Sequence, residues 1–167
     1  MVIINGTTGI DTIQDGKVVD ADLNLSVKPM FSAYQSGSTS CPHATTTKIA
    51  LNTKEYDPTN AYDATNSRFT PQKAGFYQVN VCITLTAAVG NLQTTIFKNG
   101  IQYKAISIYS SNSGNITSPM LSCIVYLNGT TDFIEAYGYQ TSGAALSTIS
   151  GRNDITYFQA HYISTGV

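Results

Sequence analysis

The stretch RFTPQKAGFYQVNVCITL, Arg68 to Leu85, begins as a turn and ends as a buried strand. Pro71 fixes its own φ and cannot donate to a ladder, so Phe69-Thr70 is expected to be a short edge strand that Pro71 ends. Lys73-Ala74-Gly75 then turns the chain, with Gly75 free to take a positive φ. From Phe76 the pattern alternates strictly, Phe76, Gln78, Asn80 and Cys82 against Tyr77, Val79, Val81 and Ile83, which is the period of a strand crossing a sandwich. Ten residues therefore hold an edge strand, a corner and the start of a core strand.

The same alternation recurs on both sides of this stretch. Strands are predicted at 30–35, 47–57, 75–87, 92–100, 101–110, 118–129, 132–140 and 155–165, rich in β-branched and aromatic residues and separated by turn clusters. Asn99-Gly100, flanked by TTIFK and IQYKAI, is the strongest hairpin signal, because a type I′ turn needs two positive φ angles. Asn128-Gly129 is expected to repeat it. No segment sustains a 3.6-residue apolar period, so the chain reads as all-β, a two-sheet jelly-roll sandwich of antiparallel strands.

Composition narrows the function. Charged residues are 11% of the chain, against about 25% in an average soluble protein; Thr, Ser, Asn, Gly and Tyr replace them. The net charge of −1 gives nucleic acid no basic footprint, and no run approaches the ~18 apolar residues of a membrane-inserted helix. The opening MVIINGTTGID lacks the basic, then apolar, layout of a secretory signal. Cys41, Cys82 and Cys123 are widely spaced and fit neither a zinc site nor a redox pair; they are expected as free thiols.

Charge also divides the chain. Residues 1–28 hold four of its ten acids (Asp11, Asp15, Asp20, Asp22), no aromatic residue, and glycine breaks at Gly6, Gly9 and Gly16. They are expected to form an extended docking arm that orders only against another chain, with Ile3, Ile4, Ile10, Ile13 and Val18 as its alternate apolar contacts. Residues 29–167 form the head.

Phe69, Thr70, Gly75, Tyr77 and Val79 in FTPQKAGFYQV follow KIALN and EYD. Phe31-Ser32-Ala33 stands at the start, IFKNG at Ile96–Gly100, SCIVYLNGTTDFIEAYGY further on and YFQAHYI at the end. In this order, over residues 29–165, these motifs resemble the globular head of complement component 1q and its relatives in the tumour-necrosis-factor superfamily. The resemblance implies a jelly roll of about ten strands that assembles as a homotrimer. No Gly-X-Y collagen stalk, secretion signal or disulfide framework accompanies it, which argues against a secreted animal protein. The opening INGTTGIDTIQDG and the ending TSGAALST…TYFQAHYI instead look like tailed-bacteriophage virion proteins that carry this head.

That resemblance implies a non-enzymatic, trimeric tail-fibre or appendage knob on the particle surface. It would be made in the bacterial cytoplasm, joined to other virion proteins by its arm, and able to meet a host-surface glycan or protein. Two alternatives stay open: a capsid decoration, cement or head-fibre protein, and a free-standing recognition module. No cofactor is expected. G-x-S-x-G, H-E-x-x-H and phosphate-binding loops are absent. His43 beside Cys41 lacks a visible orienting partner, and Glu55 and Glu135 read as solvated or ion-paired. Asp57, Asn60, Asp63 and Asn66 read as turn formers rather than calcium ligands. Eleven tyrosines and six phenylalanines exceed what one small sandwich buries, and Tyr is enriched at interfaces. Tyr137, Tyr139, Tyr157, His161 and Tyr162, on the last two long strands, are the candidates for a packed three-fold seam.

Overall fold

The computed structural model describes residues 28–87, 90–111 and 116–165. The arm candidates Ile3, Ile4, Ile10, Ile13 and Val18 lie outside them. Thirteen strands occur among the described residues: β1 (Met30–Tyr34), β2 (Ser40–Cys41), β3 (Thr47–Lys48), β4 (Thr53–Tyr56), β5 (Tyr62–Asp63), β6 (Arg68–Phe69), β7 (Ala74–Cys82), β8 (Gly90–Lys98), β9 (Ile101–Ser110), β10 (Met120–Asn128), β11 (Ile134–Gln140), β12 (Leu146–Ser147) and β13 (Tyr157–Ser164). Eleven of them make two facing sheets, one ordered β10-β7-β13-β1-β4, the other β5-β6-β11-β8-β9 with β3 also paired to β11. All pairings are antiparallel. This is the all-β jelly roll that the alternation implied.

The sheets are joined by aromatic rings. Phe31 of β1 stacks on Tyr62 of β5 at 4.4 Å and on Phe69 of β6 at 4.6 Å, and meets Phe158 of β13 edge-on at 4.8 Å. All four are buried. Tyr62 buries its ring without stranding its hydroxyl, which donates to the Leu51 carbonyl at 2.7 Å. Below this stack the alternating Tyr77, Val79 and Val81 of β7 fill the space between the sheets.

Several details depart from the sequence reading. The stretch 47–57 is two strands: β3 pairs with β11 in one sheet and β4 with β1 in the other. Between them Ile49 and Leu51 cross the core, both fully buried, with Leu51 N–H closing a tight turn on the Ile49 carbonyl at 3.0 Å. The β6 strand is flanked by β5 and β11, so it is no edge; the two-residue β5 is too short to register as an alternating run. The long strand from Gly75 stops at Cys82, after which Leu85 makes one bridge to Thr148.

Of the two Asn-Gly turns, one behaves as expected. Asn99 and Gly100 have φ of 52° and 78° and close the β8–β9 hairpin. Asn128-Gly129 instead carries the chain from β10 across to β11 in the other sheet, and only Gly129 is left-handed (φ 74°). Asn128 Oδ1 accepts the backbone N–H groups of Thr130, Thr131 and Asp132 at 2.9–3.0 Å, a side-chain-directed turn. Asp132 links both turns, accepting from Asn99 Nδ2 at 2.7 Å and from Asn128 N–H at 3.1 Å.

Gly75 is needed, though not for a corner. It lies inside β7, with φ 155°, and a Cβ there would sit 2.4 Å from the Ser164 carbonyl oxygen and 2.6 Å from a Tyr162 ring carbon. The β13 backbone approaches where a side chain would stand. Gly75→Val is expected to cost about 3 kcal/mol or more, read as a lower urea midpoint with unchanged slope; a midpoint equal to the parent's would mean that β13 does not approach β7 this closely.

Candidate self-association face

The outer surface of the β10-β7-β13-β1-β4 sheet is built from the residues that alternate with the core. Register places them in rows across the strands. Met120, Cys82, Tyr157 and Tyr34 form one row; Ser122, Asn80, Gln159 and Ser32 the next; Ile124, Gln78, His161 and Met30 the third; Tyr126 and Phe76 the fourth. Met120, Ile124, Tyr126, Phe76 and Met30 are all exposed, Met120 at 54% and Ile124 at 52%. Phe76 and Tyr126 meet edge-to-face at 5.5 Å, and Tyr157 Oη donates to Met120 Sδ at 3.2 Å. The β7, β10 and β13 residues of these rows include no Lys, Arg, Asp or Glu.

The apolar surface turns the corner of the sandwich. On β9, the last strand of the other sheet, Ile101 is 74% exposed and Tyr103 is exposed as well. A bulge opposite Ile96–Phe97 frees Tyr103 from strict pairing. Its hydroxyl donates to the Ile124 carbonyl at 3.2 Å, and Lys98 Nζ donates to the Tyr126 carbonyl at 2.8 Å. The β9/β10 edge and the β10-β7-β13 face are thus two adjoining apolar patches set at an angle. Contiguous exposed apolar surface of this kind marks interaction sites in soluble proteins.

The five seam candidates do not converge. Tyr157 and His161 lie on this face. Tyr162 points into the core: it is buried, meets Tyr77 edge-on at 5.5 Å, and has Lys73 Nζ 4.8 Å from its ring. The bulge between Tyr162 and Ser164 carries the following Ile163 outward, where it is exposed. Tyr137 and Tyr139 stand on the outer face of the opposite sheet. Phe76, Met120, Ile124 and Tyr126 were missed, although MLSCIVYLN carries the signal of the last three. Both of its alternating sets are apolar, the pattern of a strand covered on two sides.

On the opposite sheet, Tyr137 packs on Phe97 at 4.1 Å and donates to Glu135 Oε2 at 3.2 Å. Glu135 is 3% exposed and is held by Lys48 Nζ at 2.7 Å and Arg68 Nε at 2.8 Å. Burial pushes its carboxyl up, but the two cations and their hydrogen bonds outweigh this and hold it below the usual carboxylate range. This outer face is polar and internally paired.

Catalytic chemistry finds little support in the geometry. Burial raises the Cys41 thiol to about 11, which keeps it protonated, and His43 Nδ1 accepts the Gly143 N–H at 2.9 Å. Asp57 accepts the N–H groups of Ala61 and Tyr62, and Asp63 those of Thr65 and Asn66, so both shape turns. No group of three His, Cys, Asp or Glu side chains placed to hold a metal occurs among the described residues.

The fold is a jelly roll similar to those of complement heads and tumour-necrosis-factor ligands. The globular domain of zebrafish complement 1qA superposes with a TM-score of 0.62 at 14% identity, covering 83% of this chain and 99% of that one. Murine APRIL gives 0.64 at 11% identity, over 81% and 99%. The vertex protein P5 of PRD1 gives 0.60 at 15% identity, over 83% and 99%. At these identities the likeness is one of fold. No protein-family model and no curated protein matches the sequence.

Glu135 gives a test by pH. A carboxyl depressed in the folded state contributes stability that is complete above its unfolded pKa, about 4.3, and is lost as pH falls through the lower folded value. Glu135→Gln should therefore lower the melting temperature at pH 7 and narrow the gap to wild type below pH 4. A constant gap from pH 7 to pH 2.5 would contradict the ion-paired assignment.

Proposed function

We propose that this chain is a non-enzymatic structural component of a bacteriophage particle, a homotrimeric knob on a tail fibre or surface appendage. Residues 1–28 attach it and its head faces outward. The observation that carries the trimer is the pair of adjoining apolar patches, the β9/β10 edge and the β10-β7-β13 face, whose β7, β10 and β13 rows carry no Lys, Arg, Asp or Glu. Two different patches on one molecule make a heterologous contact, edge of one copy on face of the next, which closes as a ring. A face without charge suits a partner of the same composition, because no counter-charge is required. The fold shared with the PRD1 vertex protein supports the particle setting, as do the motifs at either end of the sequence.

Polarity along the sandwich supports the division of labour. Pro29 accepts the Tyr162 N–H at 3.0 Å, so the chain enters the head beside the end of β13. Pro29 thus stands at the end of the sandwich that carries Gly75, Asn99-Gly100 and Asn128-Gly129. The opposite end presents the segments 35–39, 141–145 and 149–156, tied down by bonds from the buried residues Gln35, Gln140 and Thr84: Gln35 to Thr39 at 2.6 Å, Gln140 to the Ala144 carbonyl at 2.7 Å, Thr84 to the Ile155 carbonyl at 2.9 Å. In this reading that end meets the host-surface glycan or protein.

Two experiments test the proposal. Light scattering of the full chain should give three times the chain mass, and Phe76→Asp with Tyr126→Asp should give a folded monomer. A wild-type monomer at micromolar concentration would remove the trimer. Deleting residues 1–27 should leave a folded trimer that no longer enters particles; normal incorporation of the truncated chain would assign attachment to the head.

A further inference from the structure

The self-association face is layered, and its middle layer is polar. The row Ser122, Asn80, Gln159 and Ser32 runs across β10, β7, β13 and β1 between the Met120–Tyr157 row and the row in which Ile124 and Met30 flank Gln78 and His161, with Phe76 and Tyr126 beyond it. It is ordered within the chain. Gln78 Nε2 donates to Ser122 Oγ at 2.8 Å, and Ser122 Oγ donates to Asn80 Oδ1 at 2.9 Å. At the far end Ser32 Oγ donates to Glu55 Oε2 at 2.5 Å, and Asn153 Nδ2 holds the other Glu55 oxygen at 2.6 Å. These bonds leave the Asn80 side-chain N–H₂ and both ends of the Gln159 amide, at the middle of the row, without a partner among the described residues.

We infer that this polar row fixes the register and number of the copies that meet on the face. The inference rests on the proposed self-association. Apolar packing is non-directional, so Met120, Ile124, Phe76 and Tyr126 alone would tolerate sliding or an extra copy. An amide buried without a partner is costly, so the populated arrangement is the one that gives Asn80 and Gln159 hydrogen bonds on the neighbouring copy. The bonds among Gln78, Ser122 and Asn80 hold the Asn80 amide in one orientation before association. A single buried polar position that selects register and oligomer state at some cost in stability has this same logic. The occupant is a second copy of this chain, because the β7, β10 and β13 rows carry no Lys, Arg, Asp or Glu that would call for a counter-charge, and the exposed Ile124 and Tyr126 adjoin the exposed Ile101 and Tyr103 of the same molecule.

Native mass spectrometry and ion mobility of the full chain test the idea. Wild type should give one mass with one arrival time. Asn80→Leu with Gln159→Leu should associate at least as tightly on dilution but lose that uniqueness, giving several masses or several arrival times. Both side chains point away from the core; should the double variant fold poorly by circular dichroism, Gln159→Leu alone gives the same comparison. A variant that keeps one mass and one arrival time overturns the inference. So does a variant that dissociates, since the row would then supply affinity rather than specificity. A monomeric wild type overturns the self-association reading and this inference together.

Discussion

Phe31 is the contact on which the rest of the structure depends. It sits on β1, next to the edge of one sheet, and stacks on Tyr62 and Phe69 of the other. Because two rings lie nearly parallel to it and Phe158 stands perpendicular, the sheets are held at one separation and one offset. Aromatic contacts of this kind add about 0.5–1.5 kcal/mol each beyond the area they bury. The crossing at Ile49–Leu51 and the two-residue strands β5 and β6 exist to deliver the partner rings. With this bolt in place, the outward residues of β7, β10 and β13 come into line as rows.

The two outer faces that result are unequal. One carries Glu135 between Lys48 and Arg68, with Tyr137 packed on Phe97, and satisfies its polar groups within the chain. The other leaves Phe76, Met120, Ile124 and Tyr126 in the open. A low content of charge permits this difference. With 11% charged residues, strand faces are set by hydroxyls, amides and rings, and the face whose β7, β10 and β13 rows hold no ion pair is the one suited to self-contact.

The sequence made the core strand from Tyr77 and the Asn99-Gly100 hairpin legible, because each depends on neighbours two residues apart or on one local turn. What it hid depends on distant chain. Gly75 is required by the β13 backbone, more than eighty positions away, so local reading explains it as a corner. Asn128-Gly129 looks like a hairpin turn, yet Asn128 spends its carbonyl on three backbone N–H groups and sends the chain to the other sheet. Tyr162 was read as an interface residue from composition, while the register of β13 points it inward. Alternation followed along both faces of MLSCIVYLN would have put Ile124 and Tyr126 on an outer face, as it separates Tyr157 and His161 from Tyr162 in β13.

The central claim is that copies of this chain cover the β10-β7-β13 face. Hydroxyl-radical footprinting of the intact protein reads that cover residue by residue. Met120, Phe76 and Tyr126, exposed in the single chain, should be modified slowly, and Tyr109, which is 80% exposed on β9 away from the face, should be modified fast. Dilution to monomer or Phe76→Asp should bring Met120 and Tyr126 up to the rate of Tyr109. Equal, fast labelling of Met120, Tyr126 and Tyr109 at working concentration would contradict the account.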